Sequence, residues 1–166
     1  MTFAADTSVP VARSRGEIED LIRRAGGKRF MSAFDDTRAY VRFEVNERQV
    51  QFELELPTLE SFATEEYEYR RRGMVFPKTR TLPPALQLKK WEQACRSRWR
   101  ALALCIKAKL VSVESQVETF EEAFLPQIVV PTSDGAKRFS ELAVKAIAKA
   151  YSSGTLPPLL PAGGGR

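Results

Sequence analysis

The chain reads as an α+β domain, an antiparallel three-stranded β-meander packed against one long central helix, with an N-terminal helix and C-terminal helices. Three observations predict this. Apolar and polar residues alternate from Val41 to Val45 and again from Val50 to Leu56, the period of strands with one buried face. Apolar residues then step by three or four from Leu86 to Val117, the period of a helix. A hydrophobic fraction of 43% with ten Phe in 166 residues is enough for one packed core.

Residues 1–12 lack any period and read as a flexible N-terminus, 13–154 as a single domain, and 155–166 as a flexible Pro- and Gly-rich tail. Ser14 offers an N-cap to a helix running through Glu17 to Arg24, whose apolar face is Ile18, Leu21 and Ile22. Gly26 and Gly27 stop that helix. Phe30 to Phe34 supplies a first strand, and a turn at Asn46 to Gln49 joins the next two. Pairing Val45 with Val50, Phe43 with Phe52 and Val41 with Leu54 buries all six. The opposite face, Arg42, Glu44, Gln49, Gln51, Glu53 and Glu55, is net acidic and unsuited to nucleic acid.

Residues 57–85 lose periodicity and read as a long irregular loop, acidic first and basic later. The central helix follows, with Leu88, Trp91, Cys95, Trp99, Leu102, Ile106, Leu110, Val113 and Val117 as its core stripe. That stripe assigns Trp91 and Trp99 to packing rather than to a site. Ala94, Ala101, Cys105, Ala108 and Ser112 form a small-residue face suited to a second close contact, either within the domain or in a homo-oligomer. Cys95 and Cys105 lie roughly 15 Å apart along the axis, too far to bridge, and both read as buried thiols. Thr119 and Glu122 make a capping box for a short helix containing Phe120 and Phe124, Ile128 to Val130 is extended, and a final helix with Phe139, Leu142, Val144, Ile147 and Tyr151 stops at Gly154.

Charge is the best functional clue. Residues 67–109 hold twelve Lys or Arg against Glu68 and Glu92, about +10 in a chain whose total is +5, so the remainder is net acidic. Within this segment Tyr67, Tyr69 and Phe76 are interleaved with Arg70, Arg71, Arg72, Lys78 and Arg80, a mixture in which cations grip phosphates and rings stack on unpaired bases. On the helix, Lys89, Arg96, Arg100 and Lys107 fall within about 20° of one line at 100° per residue and span about 27 Å. A solvated surface loop and an ordinary polar helix face are the alternatives for these two features. No chemistry competes with binding. Histidine is absent, no Gly-rich phosphate loop precedes a helix, and neighbouring carboxylates such as Glu65 and Glu66 point apart, so neither metal, cofactor nor enzyme activity is expected. With no run of eighteen apolar residues and no signal-like N-terminus, the protein reads as cytoplasmic, without a membrane partner.

The stretch from Trp91-Glu-Gln-Ala-Cys-Arg96 to Leu110, with Val113-Glu-Ser115 and Thr119-Phe-Glu-Glu122, resembles a family of small uncharacterised proteins encoded by tailed bacteriophages and prophages. The likeness runs from Arg13 through the hairpin to Tyr151 and Pro157-Pro-Leu-Leu160. It implies a phage protein in the host bacterial cytoplasm, where small basic proteins serve replication, recombination or evasion of host defence. A meander followed by a long helix is similar in outline to the core of phage single-strand annealing proteins. The expectation is therefore a sequence-nonspecific accessory protein that binds nucleic acid, single-stranded DNA above all, with the twelve residues just named as its site. The alternative is a module whose basic ridge meets an acidic phage or host protein, such as a host defence complex.

Overall fold

The structure, a computed structural model, describes residue 4 and residues 6–155. It has a three-stranded antiparallel sheet in the order β1-β2-β3, a long central helix, an N-terminal helix and C-terminal helices. The expectations placed on residues 1–3, on residue 5 and on the tail from 156 lie outside the described residues.

Helix α1 (Val11–Arg24) starts four residues earlier than an N-cap at Ser14 implies, after an extended Pro10. Ser14 therefore caps nothing. It sits inside the helix, fully buried, and its Oγ has no hydrogen-bond partner among the described residues. A serine one turn before Ile18 and two before Ile22 is small enough to let α1 press against its neighbours. The glycine stop is as expected: Gly26 adopts φ +78°. At Gly27 a Cβ would lie 2.3 Å from Ile22 Cγ2, so only glycine lets the chain turn back this tightly.

Strands β1 (Lys28–Phe34), β2 (Arg38–Val45) and β3 (Arg48–Glu55) form the meander. The expected register is wrong by two residues. Val45 pairs with Arg48, Phe43 with Val50, Val41 with Phe52, and Ala39 with Leu54. The cause is the turn, which is two residues long, with Asn46 at φ 50° and Glu47 at φ 61°, the left-handed pair that matches strand twist. A slip of two preserves the faces, so Val41, Phe43, Val45, Val50 and Phe52 are still buried.

Residues 57–85 are not an irregular loop. After a 3₁₀ turn at Leu59–Phe62, strands β4 (Thr64–Arg71) and β5 (Met74–Thr81) pair antiparallel along their whole length. Leu82, buried, fixes the chain before helix α2 (Pro84–Glu114). Along α2, Cys95, Trp99, Leu102, Ala103 and Ile106 are buried while Leu88 is exposed, and Val117, expected in the stripe, is exposed beyond the helix end at Glu114. The small-residue face is not a second buried face. Cys105 and Ala108 are exposed, because neighbouring elements press on Ala103 and Ser97 instead.

Helix α3 (Phe120–Phe124) has the expected capping box, with Thr119 Oγ1 accepting from the Glu122 backbone N–H and Glu122 accepting from the Thr119 backbone. It sets Phe124 edge-on against Phe43 and Phe52, with ring centres 6.2 and 6.3 Å away, while Phe120 stacks on Phe124 at 4.7 Å. The buried sheet face thus meets one core shared by α1, α2 and α3. Strands β6 (Val129–Thr132) and β7 (Gly135–Arg138) form a short hairpin, and helix α4 (Phe139–Ser153) ends at Gly154, φ +72°. Only Ala143 and Ala146 of α4 are buried; Val144, Ile147 and Tyr151, expected inside, face outward. Among the described residues no helix is long and apolar enough to cross a membrane.

Candidate nucleic-acid interface

Strands β4 and β5 form an arm. Every residue from Glu66 to Thr81 is exposed, so neither face of this ribbon lies against the core. Eight residues at about 3.3 Å each give it a reach of roughly 26 Å. Its tip is a two-residue turn, Arg72 at φ 50° and Gly73 at φ 80°, joining the Arg71–Met74 pair.

Strand alternation sorts the arm into two unlike faces. Directly opposed pairs share a face, so Tyr67 with Lys78, Tyr69 with Phe76, Arg71 with Met74, and Glu65 with Arg80 all lie on one side. The other side holds Glu66, Glu68 and Arg70 opposite Thr79, Pro77 and Val75. All three rings singled out from the sequence are therefore neighbours, framed by Arg71, Lys78 and Arg80. The Lys78 ammonium is 4.2 Å from the centre of Tyr69, and the Arg80 guanidinium is 5.5 Å from that of Tyr67. Arg70 is on the acidic side, 3.7 Å from Glu68, and Arg72 is in the turn.

The root is a small ionic cluster that sequence reading missed. Glu65 accepts from Arg80 Nη2 at 2.7 Å and from Lys90 of α2. Lys90 first, and Arg80 next, hold the Glu65 carboxyl below its ordinary range. Its signal in the sequence is weak, since twenty-five residues separate Glu65 from Lys90. Glu66, pointing to the opposite side, has no part in it.

The helical ridge is interrupted. Helix α1 packs across α2 and delivers Glu17 to Arg100, while Arg96 is bound to Gln93 at 2.8 Å and lies 3.6 Å from Glu92. Their side chains are only 24% and 26% exposed. Lys89 and Lys107, at the two ends, are exposed and form no ion pair with the described residues. An isolated-helix projection had no means of showing that α1 covers the middle of the line. The twelve predicted residues therefore divide. Six form the ring-and-cation face, Arg70 and Arg72 lie beside it, Lys89 and Lys107 are exposed on α2 and are not brought onto that face, and Arg96 and Arg100 are structural. No protein-family model, no curated protein and no solved structure matches this chain.

Proposed function

We propose that the protein is a nucleic-acid-binding accessory protein of phage replication or recombination, a binder rather than an enzyme, acting in the host cytoplasm. It grips single-stranded DNA with little sequence preference. The phage setting rests on the resemblance in the Trp91–Glu122 region. The observation that carries the binding is the common face of Tyr67, Tyr69 and Phe76 with Arg71, Lys78 and Arg80. Rings exposed on a ribbon suit unpaired bases, because paired bases hide their faces in the duplex stack, and each base stacked on a ring contributes about 1–3 kcal/mol regardless of its identity. The cations beside the rings meet the phosphates and make affinity fall with salt.

The test is fluorescence anisotropy of a labelled oligo-dT at two salt concentrations. The double variant Tyr69→Ala, Phe76→Ala is expected to lose at least tenfold in affinity, with duplex DNA bound more weakly than oligo-dT by the native chain. Equal binding by native protein and variant rejects the arm as the site.

A second reading, a module that binds a phage or host protein, is favoured by the outward stripe Val144, Ile147 and Tyr151 on α4. Under that reading neither oligo-dT nor duplex binds. A homo-oligomer through the same stripe is compatible with either, and light scattering measures it.

A further inference from the structure

A cavity of about 770 Å³ opens on another side of the molecule, between α1, the β1–β2 turn, the segment after β3 and α2. Its walls are Phe34, Leu56, Leu59, Trp91 and Trp99. Trp99 is 3% exposed, and Trp91 is fixed by donation of its Nε1–H to the Pro57 carbonyl at 2.8 Å. The wall is therefore rigid. Phe34 and Leu59 are exposed at 67% and 42%, apolar groups left open to water beside the cavity. An apolar space of this size with a few placed polar groups is the usual form of a small-ligand site.

One charged group in this wall has no counter-ion among the described residues. Arg15 lies half-buried with its guanidinium 5.7 Å from the centres of both Phe34 and Trp99. It donates to Ser32 Oγ through Nη2 at 2.6 Å and Nε at 3.2 Å. No carboxylate among the described residues pairs with it, whereas Arg96, Arg100 and Arg138, also half-buried, each have one; half-buried Arg42 likewise lacks a carboxylate and donates to Gln49 Oε1, but it lies on the open face of the sheet and does not line this cavity. A hydroxyl uses two of the five guanidinium N–H groups and neutralises none of the charge. The geometry points to a binding site for an amphiphilic monocarboxylate, whose apolar body fills the Trp91–Trp99–Leu56 walls and whose carboxylate meets Arg15.

The acids near the opening narrow the class further. Asp35, Asp36 and Glu60 also line the cavity. Asp35 is committed to the backbone N–H groups of Thr37 and Arg38 at 2.9 and 2.7 Å, which leaves Asp36 and Glu60 facing solvent. Negative charge there repels a dianion about twice as strongly as a monoanion, which favours a single carboxylate at Arg15 over a phosphate. The site is thus separate from the arm and does not depend on DNA binding. A fatty-acid-like molecule and the C-terminal apolar residue of a peptide share the required chemistry.

The protein carries its own reporter, since its only two tryptophans both line the cavity. Octanoate, octanol and octylamine are titrated into the full chain while tryptophan emission is recorded. A peptide ending in Leu-Leu is added with a free or an amidated C-terminus. Saturable change with octanoate, at least tenfold tighter than octanol and octylamine, is expected; the same preference for free over amidated peptide alone identifies the peptide source. Arg15→Gln should weaken octanoate at least tenfold. As Arg15 also holds Ser32, Leu59→Glu on the exposed rim provides a second variant that leaves the fold untouched and should weaken it similarly. No saturable response to either carboxylate, octylamine binding as well as octanoate, or unaltered affinity in both variants overturns the assignment.

Discussion

Lys78 and Tyr69 are diagonal neighbours across the arm, and the Lys78 ammonium lies 4.2 Å from the centre of the Tyr69 ring. The ring holds the cation by its quadrupole, an attraction of about 0.5–1 kcal/mol at exposed sites, so the ammonium is ordered without being neutralised. Charge and stacking surface are thereby presented together. Tyr69→Ala should lower affinity for oligo-dT by about 1–3 kcal/mol at one salt concentration, whereas Lys78→Gln should chiefly flatten the salt dependence. Anisotropy across a salt series separates the two. Identical salt slopes for native and Lys78→Gln protein would remove Lys78 from the interface.

The root of the arm should respond to acid. Glu65 is held below its ordinary value of 4.5 by Lys90 and Arg80. A carboxyl depressed on folding contributes its stabilisation in full above the unfolded value, and loses it as pH falls through the lower folded value. The latch should therefore be intact at neutral pH and released only below about 4.5. Backbone amide shifts of Thr81 and Lys90, followed by NMR from pH 7 to pH 3, are expected to move with a midpoint under that value, and to stay flat in Glu65→Gln. A midpoint above it would mean that Glu65 is not paired as described.

Arg100 and Glu17 give a prediction that differs from the ridge expected of an isolated helix. Replacing Arg100 with Glu puts a second carboxylate against Glu17, with both side chains less than a third exposed. The variant should lose on the order of 1 kcal/mol of stability while its affinity for oligo-dT changes little. Combining Arg100→Glu with Glu17→Arg should recover much of that loss, since residues in contact are coupled. Urea denaturation of the two single variants and the double variant closes the cycle. Strong loss of DNA binding with unchanged stability would restore Arg100 to the interface.

Glycines at two points of the chain should respond in opposite ways. Gly16 lies in the interior of α1 with nothing within 4 Å of where a Cβ would be, so Gly16→Ala should stabilise by about 0.5–1 kcal/mol. At Gly27 the Cβ would meet Ile22 Cγ2 at 2.3 Å and the Ile22 carbonyl oxygen at 2.8 Å. Gly27→Ala should cost about 1–3 kcal/mol. Denaturation midpoints with unchanged slopes measure both.

Periodicity made the meander, α2 and the final helix legible, because each needs only a repeat of two or about 3.6 along the chain. Features that depend on two distant segments meeting were not legible. The Glu17–Arg100 pair and the Glu65–Lys90 latch join residues far apart in sequence, and nothing local marks either carboxylate. The arm was missed for a different reason. Its strands lack apolar alternation because neither side is buried, although Gly73 after Arg72 and the alternate placing of Tyr67 and Tyr69 were signs of a ribbon. Cys105 and the α4 stripe show the converse limit, since a helical period gives a face but not what covers it.

The β2–β3 and β4–β5 hairpins use the same kind of turn with unequal residues, and this supports a last prediction. Arg72–Gly73 places glycine at the second left-handed position, whereas Asn46–Glu47 places glutamate there at φ 61°. In that region the Cβ crowds the following carbonyl at a cost of about 1–2 kcal/mol, which asparagine's short side chain offsets by local hydrogen bonding and glutamate's longer one does not. Glutamate at this position also concealed the turn, since Asn-Glu is not one of the favoured hairpin dipeptides, and so the register was read two residues off. Glu47→Gly removes the strain and adds unfolded-state entropy of about 0.5–1 kcal/mol in the other direction. The net should be a gain of about 0.5 kcal/mol, with Val45 still opposite Arg48. Urea denaturation together with cross-strand NOEs between Phe43 and Val50 tests both parts. A loss of stability with those NOEs retained would show that Glu47 makes a compensating contact in the turn, and their disappearance would show that the two-residue turn does not set this register.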